Sequence, residues 1–264
     1  MVRPRMRARL LALALLPLLA CASSRVSITG EVRYGNSAEE DYRYGVEEME
    51  KRSWLEAQKF LEHVRTKYPF SKYAALAELR LADAKFRQDK YLEAAEAYDA
   101  FVKLHPNHEE ADYAEFRAAL SHFNDAPSDF ALFPSAAEKD QRQLRTAVEK
   151  LQAFQKGRAD SKHREEAAKL LAEAQGRLAA HEWYVAEFYF KRRHYAGAAG
   201  RLETLIRDYP GSRYEADALL RLAEAWLGQE EGFRAQQALQ RFLARFADHP
   251  RRPEAEALLA GLRK

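Results

Sequence analysis

The sequence predicts an all-α protein made of stacked helical hairpins. The segment Tyr68-Pro69-Phe70-Ser71-Lys72-Tyr73 returns as Tyr209-Pro210-Gly211-Ser212-Arg213-Tyr214, which indicates an internal repeat. Leucine, alanine, glutamate, lysine and arginine dominate the composition while β-branched residues are few, and this balance favours helices. Before the first copy, apolar residues recur at steps of three and four, which places them along one side of a helix: Trp54, Ala57, Leu61 and Val64.

Each copy contains two helices joined by a proline turn. Pro69 lacks a backbone amide proton and disfavours helical geometry at Tyr68, so it ends the preceding helix. A second helix is predicted to begin at Ser71 or Tyr73, with one apolar side formed by Leu76, Leu79, Ala82 and Phe86. Because two helices this short cannot bury their apolar sides alone, successive hairpins must stack on one another.

The length of the repeat identifies the kind of hairpin. Ala57 and Pro69 recur 37 residues later as Ala94 and Pro106. Helical hairpins of this period resemble the tetratricopeptide repeat, and three copies place residues where that repeat requires them: Ala57, Leu61 and Pro69; Ala94, Tyr98 and Pro106; Ala198, Leu202 and Pro210. We therefore expect a tetratricopeptide-repeat superhelix of about five hairpins, closed by a C-terminal capping helix at residues 251–264.

The N-terminus has the pattern of an export signal. Four arginines precede an apolar run of eleven residues ending at Ala20, too short for a bilayer-spanning helix of about 20 residues. Residues 1–20 are therefore predicted to be a signal peptide. Leu18-Leu19-Ala20-Cys21 resembles the lipobox of bacterial lipoproteins, in which the cysteine carries the lipid. As the single cysteine of the chain, Cys21 excludes internal disulfides and favours lipidation over a free thiol.

The repeat pattern divides the rest of the chain into three parts. Residues 21–37 are small and polar, and we expect a lipidated N-terminus and flexible tether there. Residues 38–160 hold repeats 1–3, the third interrupted by a loop at residues 124–140, and residues 161–264 hold repeats 4 and 5 and the capping helix. A loop this long is usually functional or disordered, and its apolar residues favour packing on another surface: Phe130, Leu132 and Phe133.

Three local patterns lie in the C-terminal half. Gly176 interrupts a long helical segment and predicts a bend or a close helix contact. Ser212 and Glu215 have the spacing of a capping box. The densest aromatic group covers more than one helix face, which leaves core packing and a partner-facing patch as alternatives: Trp183, Tyr184, Phe188, Tyr189 and Phe190.

Composition and motifs favour a protein without catalysis or nucleic-acid binding. Beyond residue 20 the chain has 39 basic and 40 acidic residues, so electrostatic attraction to nucleic acid is not expected. The sequence lacks the nucleophile-elbow, zinc-protease, phosphate-loop and dinucleotide-binding motifs. His105 and His108 lie beside a proline turn and are interpreted as turn residues rather than metal ligands. We expect no enzyme activity, cofactor or metal.

Beyond the repeats, the order of features resembles the BamD family of lipoproteins from the outer-membrane β-barrel assembly (BAM) machinery. The resemblance rests on the lipobox, Thr66-Lys67-Tyr68-Pro69-Phe70, the interrupted third repeat, Arg177-Leu178-Ala179-Ala180-His181-Glu182 and Val185-Ala186-Glu187-Phe188-Tyr189. It implies a non-enzymatic scaffold that is anchored by lipid in the outer membrane and faces the periplasm. The implied partners are the POTRA domains of a BamA-like insertase, other BAM lipoproteins and unfolded outer-membrane proteins.

The resemblance also implies two binding surfaces. In the family the C-terminal repeats contact BamA, and Arg201 stands at the functionally important arginine of the fourth repeat, with Arg193 and Tyr195 shortly before it. The N-terminal repeats are thought to receive unfolded substrates, and four residues match family positions there: Tyr68, Phe70, Tyr73 and Tyr113. Repeat packing explains these four residues equally well, and an ordinary exposed arginine is the alternative for Arg201.

The family pattern has one gap, and a second hypothesis stays open. After the third-repeat loop the family carries an Asp-Arg-x-x-Arg-Asp-Pro-like stretch, of which residues 135–141 keep only the second half. Contacts of the lost Asp-Arg pair are therefore in doubt. The alternative hypothesis is a general tetratricopeptide-repeat lipoprotein that serves as an adaptor for pilus, secretin or cell-wall machinery. Copurification of a secretin without barrel-assembly subunits would favour it.

Overall fold

A computed structural model of the chain describes residues 32–128 and 135–262. The predicted signal peptide, the lipidation site Cys21 and the loop residues Phe130, Leu132 and Phe133 lie outside the described residues. The described ranges contain eleven α-helices and a short 3-10 helix at Ala136–Glu138. The α-helices are α1 Ala38–Glu50, α2 Trp54–Lys67, α3 Lys72–Phe86, α4 Tyr91–Leu104, α5 Ala111–Asp125, α6 Arg142–Gly157, α7 Arg164–Lys191, α8 Tyr195–Asp208, α9 Glu215–Leu227, α10 Gly232–Arg245 and α11 Arg252–Gly261.

The helices pack in chain order as five hairpins and a final helix. The pairs are α1 with α2, α3 with α4, α5 with α6, α7 with α8 and α9 with α10, and α11 packs on α10. Each hairpin also packs on the next one, so the first helices form the inner face of a superhelix and the second helices form its outer face. The predicted all-α tetratricopeptide-repeat superhelix with a capping helix is confirmed.

A small residue lets the two helices of each hairpin approach closely. Every second helix carries a fully buried alanine at its equivalent position: Ala57, Ala94, Ala147, Ala198 and Ala235. In the first hairpin, Gly45 on α1 lies against Leu61 on α2, and a Cβ added to Gly45 would lie 2.7 Å from Leu61 Cγ. Helices can approach this closely only where side chains are small.

The turn inside each regular hairpin is also repeated. Among the described residues, four that are not glycine have positive φ angles of 58–63°, and they stand at equivalent positions after α1, α3, α7 and α9: Arg52, Asp89, Arg193 and Glu230. In each turn the next residue donates its amide proton to a carbonyl five residues back, as Ser53 does to Glu48 at 2.9 Å. This pattern is a Schellman motif, and it satisfies carbonyls that the helix end leaves free.

Helix α7 joins two parts of the core. Ala174 and Leu178 pack with α5 and α6, whereas Ala179 and Ala186 belong to the core of the C-terminal hairpins. Gly176 is exposed, nothing lies within 4 Å of a Cβ added there, and α7 runs unbroken through it. The predicted close helix contact is therefore wrong, because the neighbouring residues Ala174 and Leu178 make the packing contacts instead.

The predicted capping box at Ser212 and Glu215 does not form. Glu215 Oε2 accepts a hydrogen bond from the Gly211 amide at 2.6 Å, and Ser212 Oγ is buried without a hydrogen-bond partner among the described residues. Gly211 has a φ of +80°, and this left-handed turn is the conformation that glycine adopts most readily. Glu215 Oε1 lies 2.6 Å from Arg245 Nη1, so the buried carboxylate is paired instead with a residue of α10.

The last part of the predicted flexible tether is folded onto the first hairpin. The Tyr34 ring stacks on the His63 ring with a centroid distance of 3.9 Å. The Gly35 amide donates to Asp41 Oδ1 at 2.6 Å, and Asp41 is buried beside His63. Residues 32–37 are thus held by contacts that only the folded hairpin provides, and the tether predicted at 21–37 extends too far.

Substitution by alanine should change the free energy of unfolding in opposite directions at Gly176 and Gly45. We expect Gly176→Ala to raise the free energy of unfolding by up to about 1 kcal/mol, because it adds helix propensity without meeting another atom. Gly45→Ala should lower it by roughly 1–3 kcal/mol, because Leu61 must move. Urea unfolding followed by circular dichroism measures both changes. Equal effects in the two variants would contradict the helix packing described here.

Candidate functional site

The inner face of the first hairpins contains a continuous groove. One cavity of about 600 Å³ lies between α1 and α3, and a second of about 710 Å³ continues it towards α5. Both are lined by Met49, Glu50 and Arg87. The groove combines apolar walls with charges of both signs, and its remaining charged side chains are Glu39, Arg43, Arg52, Arg80, Asp83, Asp89 and Arg117.

A buried carboxylate organises the floor of this groove. Asp83 Oδ1 accepts hydrogen bonds from the hydroxyls of Tyr98 at 2.6 Å and Tyr113 at 2.8 Å. Its other oxygen accepts a hydrogen bond from Arg80, whose Nε also donates to the Tyr42 hydroxyl at 3.3 Å. Residues from α3, α4 and α5 therefore meet at one carboxylate, and Arg80 connects it to Tyr42 of α1. This arrangement makes a buried charge tolerable.

The network shifts the titration of its members. Burial, followed by the charge of Asp83, raises the pKa of Tyr113 to about 12 and raises that of Tyr98 further. Burial lowers the pKa of Arg80, but the charge of Asp83 and the hydrogen bonds to Tyr42 and Asp83 outweigh it and the pKa rises. The two phenols therefore stay protonated and the guanidinium stays charged at neutral pH.

Arg117 forms the far wall of the groove. Its guanidinium lies 3.7 Å from the centre of the Phe86 ring, and its Nε donates to the Tyr98 hydroxyl at 3.3 Å. Burial lowers the pKa of Arg117, but interactions with the phenols of Tyr98 and Tyr113 outweigh this effect and raise it. Arg80 and Arg117 thus present fixed positive charge beside aromatic surface, a combination that suits a polypeptide with carboxylates and apolar side chains.

The four residues predicted for the substrate groove fall into two places. Tyr73 lines the cavity between α1 and α3, and Tyr113 belongs to the Asp83 network beside it. Tyr68 is the C-terminal capping residue of α2 and packs against the first core cluster. Phe70 lies in the turn after α2 with a relative exposure of 102% and does not line the groove. Of the four, Tyr73 therefore lines the groove and Tyr113 bonds to the carboxylate at its floor.

The predicted partner residues Arg193, Tyr195 and Arg201 have separate surroundings. Arg201 Nη1 lies 3.2 Å from an oxygen of buried Glu182, whose other oxygen lies 3.5 Å from Arg145. Tyr195 packs on the Phe190 ring at 5.4 Å and against Gly228. Arg193 is an exposed turn residue with positive φ. Arg201 thus neutralises a buried charge while remaining partly exposed, and Tyr195 mainly packs.

Sequence reasoning missed a groove with a cationic rim on the outer face of the C-terminal hairpins. A cavity of about 470 Å³ lies between α8 and α10 above α9. Arg234 lies 4.0 Å from the centre of the Trp226 ring. The floor is apolar, with Ile206, Leu219, Leu222 and Trp226, and the charged rim residues are Glu203, Arg207, Arg234 and Arg241.

The same groove exists in the first two hairpins with different charges. It lies between α2 and α4, has a volume of about 270 Å³, and its residues precede their counterparts by 141 positions. Glu93 stands where Arg234 does, Ala100 where Arg241 does, and Glu78 where Leu219 does. Because the fold accepts either set, the arginines of the C-terminal groove are not needed for packing. An alignment of the repeats at the offset of 141 positions would have identified these arginines from the sequence.

The segment before α6 lies on α7. His181 Nδ1 lies 2.7 Å from the Ala137 carbonyl oxygen, the Tyr184 hydroxyl is hydrogen-bonded to Glu138, and Arg177 donates to the Pro127 carbonyl. The aromatic group of α7 lies partly in the core and partly at the surface. Trp183, Tyr189 and Phe190 pack against the C-terminal core, whereas Tyr184 and Phe188 are exposed.

Two further features bear on the kind of site. In the described ranges, none of the helices has the length and apolar character needed to cross a membrane. The same ranges hold no cluster of three or more His, Cys, Asp or Glu residues arranged for a metal ion. The stacked hairpins define the class: a tetratricopeptide-repeat protein with grooves on both faces of its superhelix.

The chain belongs to a known family of such scaffolds. The family model described as "YfiO: Outer membrane lipoprotein" matches residues 35–238. Similar relatives named "Outer membrane protein assembly factor BamD" come from Neisseria meningitidis serogroup A, 29% identical over 82% of this chain and 83% of the relative, and from serogroup B, 30% identical over 79% and 80%. Another from Xylella fastidiosa is 25% identical over 76% and 70%. The resemblance inferred from the sequence is confirmed.

The Asp83 network predicts a loss of stability at alkaline pH. The pKa of Tyr113 is raised from 10.0 to about 12, so the folded state keeps a proton that the unfolded state releases. The part of the network's contribution that depends on the Tyr113 proton is complete below pH 10.0 and is lost as the pH rises towards about 12. Tyr113→Phe should cost about 1 kcal/mol near neutral pH and flatten this alkaline loss.

Urea unfolding at a series of pH values from neutral to strongly alkaline measures the effect. Tyr98→Phe is a second variant of the same network and should change the curve in the same direction. Parallel stability curves for the unmodified chain and both variants would contradict the proton linkage.

Proposed function

We propose that this protein is a lipid-anchored outer-membrane protein assembly factor that acts as a binding scaffold on the periplasmic face of the membrane. The family match over residues 35–238 carries the proposal, and the separate inner and outer grooves support it. A scaffold of this kind works through binding energy: it holds one polypeptide while it is docked on another. The pilus, secretin or cell-wall adaptor hypothesis has no comparable support.

The inner groove of the first hairpins is the proposed site for unfolded outer-membrane proteins. Its arginines can pair with carboxylates, and Phe86, Trp54 and Met49 supply apolar surface along the same path. An extended chain brings alternate side chains to such a wall, so mixed charges and apolar pockets can hold many sequences. Weak selectivity of this type suits a factor that receives different substrates.

The C-terminal hairpins are the proposed docking region for a BamA-like insertase and its POTRA domains. Arg201, with Arg193 and Tyr195, is the predicted contact, and the arginines of the outer groove add positive charge to the same pair of hairpins. Other BAM lipoproteins are further proposed partners. The anchor at Cys21 and the absence of catalysis complete the proposal, since an adaptor needs attachment and surface but no reactive centre.

Arg201→Glu should reduce capture of the BamA-like subunit at least tenfold, about 1.4 kcal/mol, because an exposed charge that faces a partner is reversed. Arg145 offers a matched control, since it also pairs with Glu182 and is partly exposed. Arg145→Glu should disturb Glu182 to a similar degree but leave capture intact. Pulldown from detergent-solubilised membranes, with unfolding curves for both variants, measures the difference. Equal losses of capture would assign Arg201 a purely structural role.

A photoreactive residue in place of Arg43 should crosslink to newly exported outer-membrane proteins, because Arg43 is exposed and lines the inner groove. The control position is Gln58, which is exposed in the same hairpin but lines the outer groove. Crosslinking in growing cells, followed by mass spectrometry of the adducts, compares the two positions. Equal yields at Arg43 and Gln58 would remove the inner groove as the substrate site.

A further inference from the structure

The turn between the first two hairpins exposes a large apolar side chain that the fold does not require. Phe70 has a relative exposure of 102%. The equivalent turns carry small or polar residues at this position: Asn107, Asp160, Gly211 and Asp248. A polar residue therefore satisfies the turn elsewhere in the same chain. The apolar side chain of Phe70 gains nothing from the folded protein itself, so its role lies in contact with something outside it.

Positive charge surrounds Phe70. No acidic residue occurs between Glu62 and Glu78, and this interval holds the exposed cations Arg65, Lys67 and Lys72. We call residues 65–72 the basic turn. The Lys72 ammonium lies 5.1 Å from the centre of the Tyr73 ring, which is turned towards the groove. The basic turn thus presents an exposed apolar tip with three exposed cations close to it in the chain.

The next turn along the same edge also exposes an apolar side chain. Leu104, at the end of α4, has a relative exposure of 66%, and its neighbour Lys103 is also exposed. The equivalents of Leu104 are Lys67, Gly157, Asp208 and Arg245, so this position too is polar or small in the other hairpins. An exposed apolar side chain among lysines and arginines, as at Phe70, matches the interfacial region of a bilayer that contains anionic lipids. Leu104 adds a second exposed apolar side chain to the same edge.

The N-terminus enters the fold at this same edge. In an antiparallel hairpin the start of α1 lies beside the end of α2, and the Tyr34 ring stacks on His63 of α2 at 3.9 Å. His63 in turn lies 5.9 Å from the Tyr68 ring at the base of the basic turn. The chain segment that leads back to Cys21 therefore leaves the protein next to Phe70.

Chain length then limits how far this edge can lie from an anchoring bilayer. Cys21 and Val32 are eleven residues apart, and an extended chain spans at most about 3.6 Å per residue, or roughly 40 Å. An anchored protein is held near the surface at high effective concentration, so a small contact area is enough to orient it. This step rests on the lipid anchor included in the proposed function.

From these observations we infer that the basic turn is a membrane-contact surface: Phe70 enters the interfacial region of the bilayer that holds the anchor, and the cations of the turn lie against anionic phospholipid headgroups. The contact turns the edge that carries the basic turn and Leu104 towards the membrane. It leaves the inner groove open along the bilayer surface, where an exported chain can reach it. A protruding convex turn offers a protein partner little area, whereas a bilayer accepts a single inserted side chain.

Spin-label accessibility tests this inference with the full, lipidated protein. Lipidation blocks the thiol of Cys21, the single cysteine of the chain, so a nitroxide attaches only to an introduced cysteine. Phe70→Cys and Leu55→Cys are labelled separately and reconstituted in vesicles of phosphatidylethanolamine and phosphatidylglycerol. Leu55 is the matched control, since it is 62% exposed at the start of α2, on the opposite edge of the same hairpin. Both side chains are exposed, so neither substitution removes a core contact.

For each label we compare the rate of collision with oxygen to the rate of collision with an aqueous nickel chelate. We expect this ratio to be several-fold higher at position 70 than at position 55. Lys67→Glu with Lys72→Glu should reduce that ratio. Equal aqueous accessibility at positions 70 and 55, in protein retained on washed vesicles, would overturn the inference. So would protection of position 70 that appears only when a BamA-like subunit is added, because the contact would then be with protein. Loss of the unsubstituted protein from washed vesicles would instead refute the anchor in the proposed function.

Discussion

The structure depends on close contact between the two helices of each hairpin, which fully buried alanines permit. Ala57 and its four equivalents are all completely enclosed. A larger side chain there would separate the helices and remove the dispersion contacts that stabilise both hairpin and stack. Since each hairpin buries its apolar side only against its neighbours, one widened hairpin would also shift the next. The width of the grooves on both faces therefore depends on the distance between the helices of each hairpin.

The sequence predicted the fold because this constraint is local and periodic. Alanine, proline and aromatic residues recur at offsets that can be counted without a structure. The Asp83 network could not be predicted in the same way. Tyr98 and Tyr113 reach Asp83 from 15 and 30 residues away, and nothing in their spacing tells that three helices converge on one carboxylate. The sequence places residues 32–37 in the tether for the same reason. These residues are held in place by contacts with α1 and α2 that exist only in the folded protein. Glu215 likewise accepts a hydrogen bond from the Gly211 amide and forms an ion pair with Arg245, and it does not cap the helix together with Ser212.

Functional differences lie where the repeat leaves the residue free. The outer grooves of the first two and the last two hairpins lie at equivalent places, but their floors differ: Glu78 and Lys85 stand where Leu219 and Trp226 do. At the rim of the C-terminal groove, Arg234 stands where the first hairpins have Glu93. Phe70 and Gly211 are a second such pair. Comparison of equivalent positions within one chain therefore separates residues that the fold demands from residues that serve a contact. By this criterion Tyr68 and Tyr195 belong to the fold, whereas Phe70 and Arg234 do not.

Helix α7 connects the two core regions of the superhelix. It is a single helix of 28 residues with Ala174 buried in the third hairpin's core and Ala186 buried in the C-terminal core. Glu182, near the junction, is held by Arg145 of α6 and Arg201 of α8. Breaking either pair leaves a buried carboxylate partly uncompensated, which costs more than an exposed ion pair would. A partner that binds Arg201 would therefore either compete with Glu182 for this arginine or add charge beside Glu182 at the junction of the two regions. If the C-terminal hairpins dock a partner as proposed, that contact acts on the charge cluster at the junction of α6, α7 and α8.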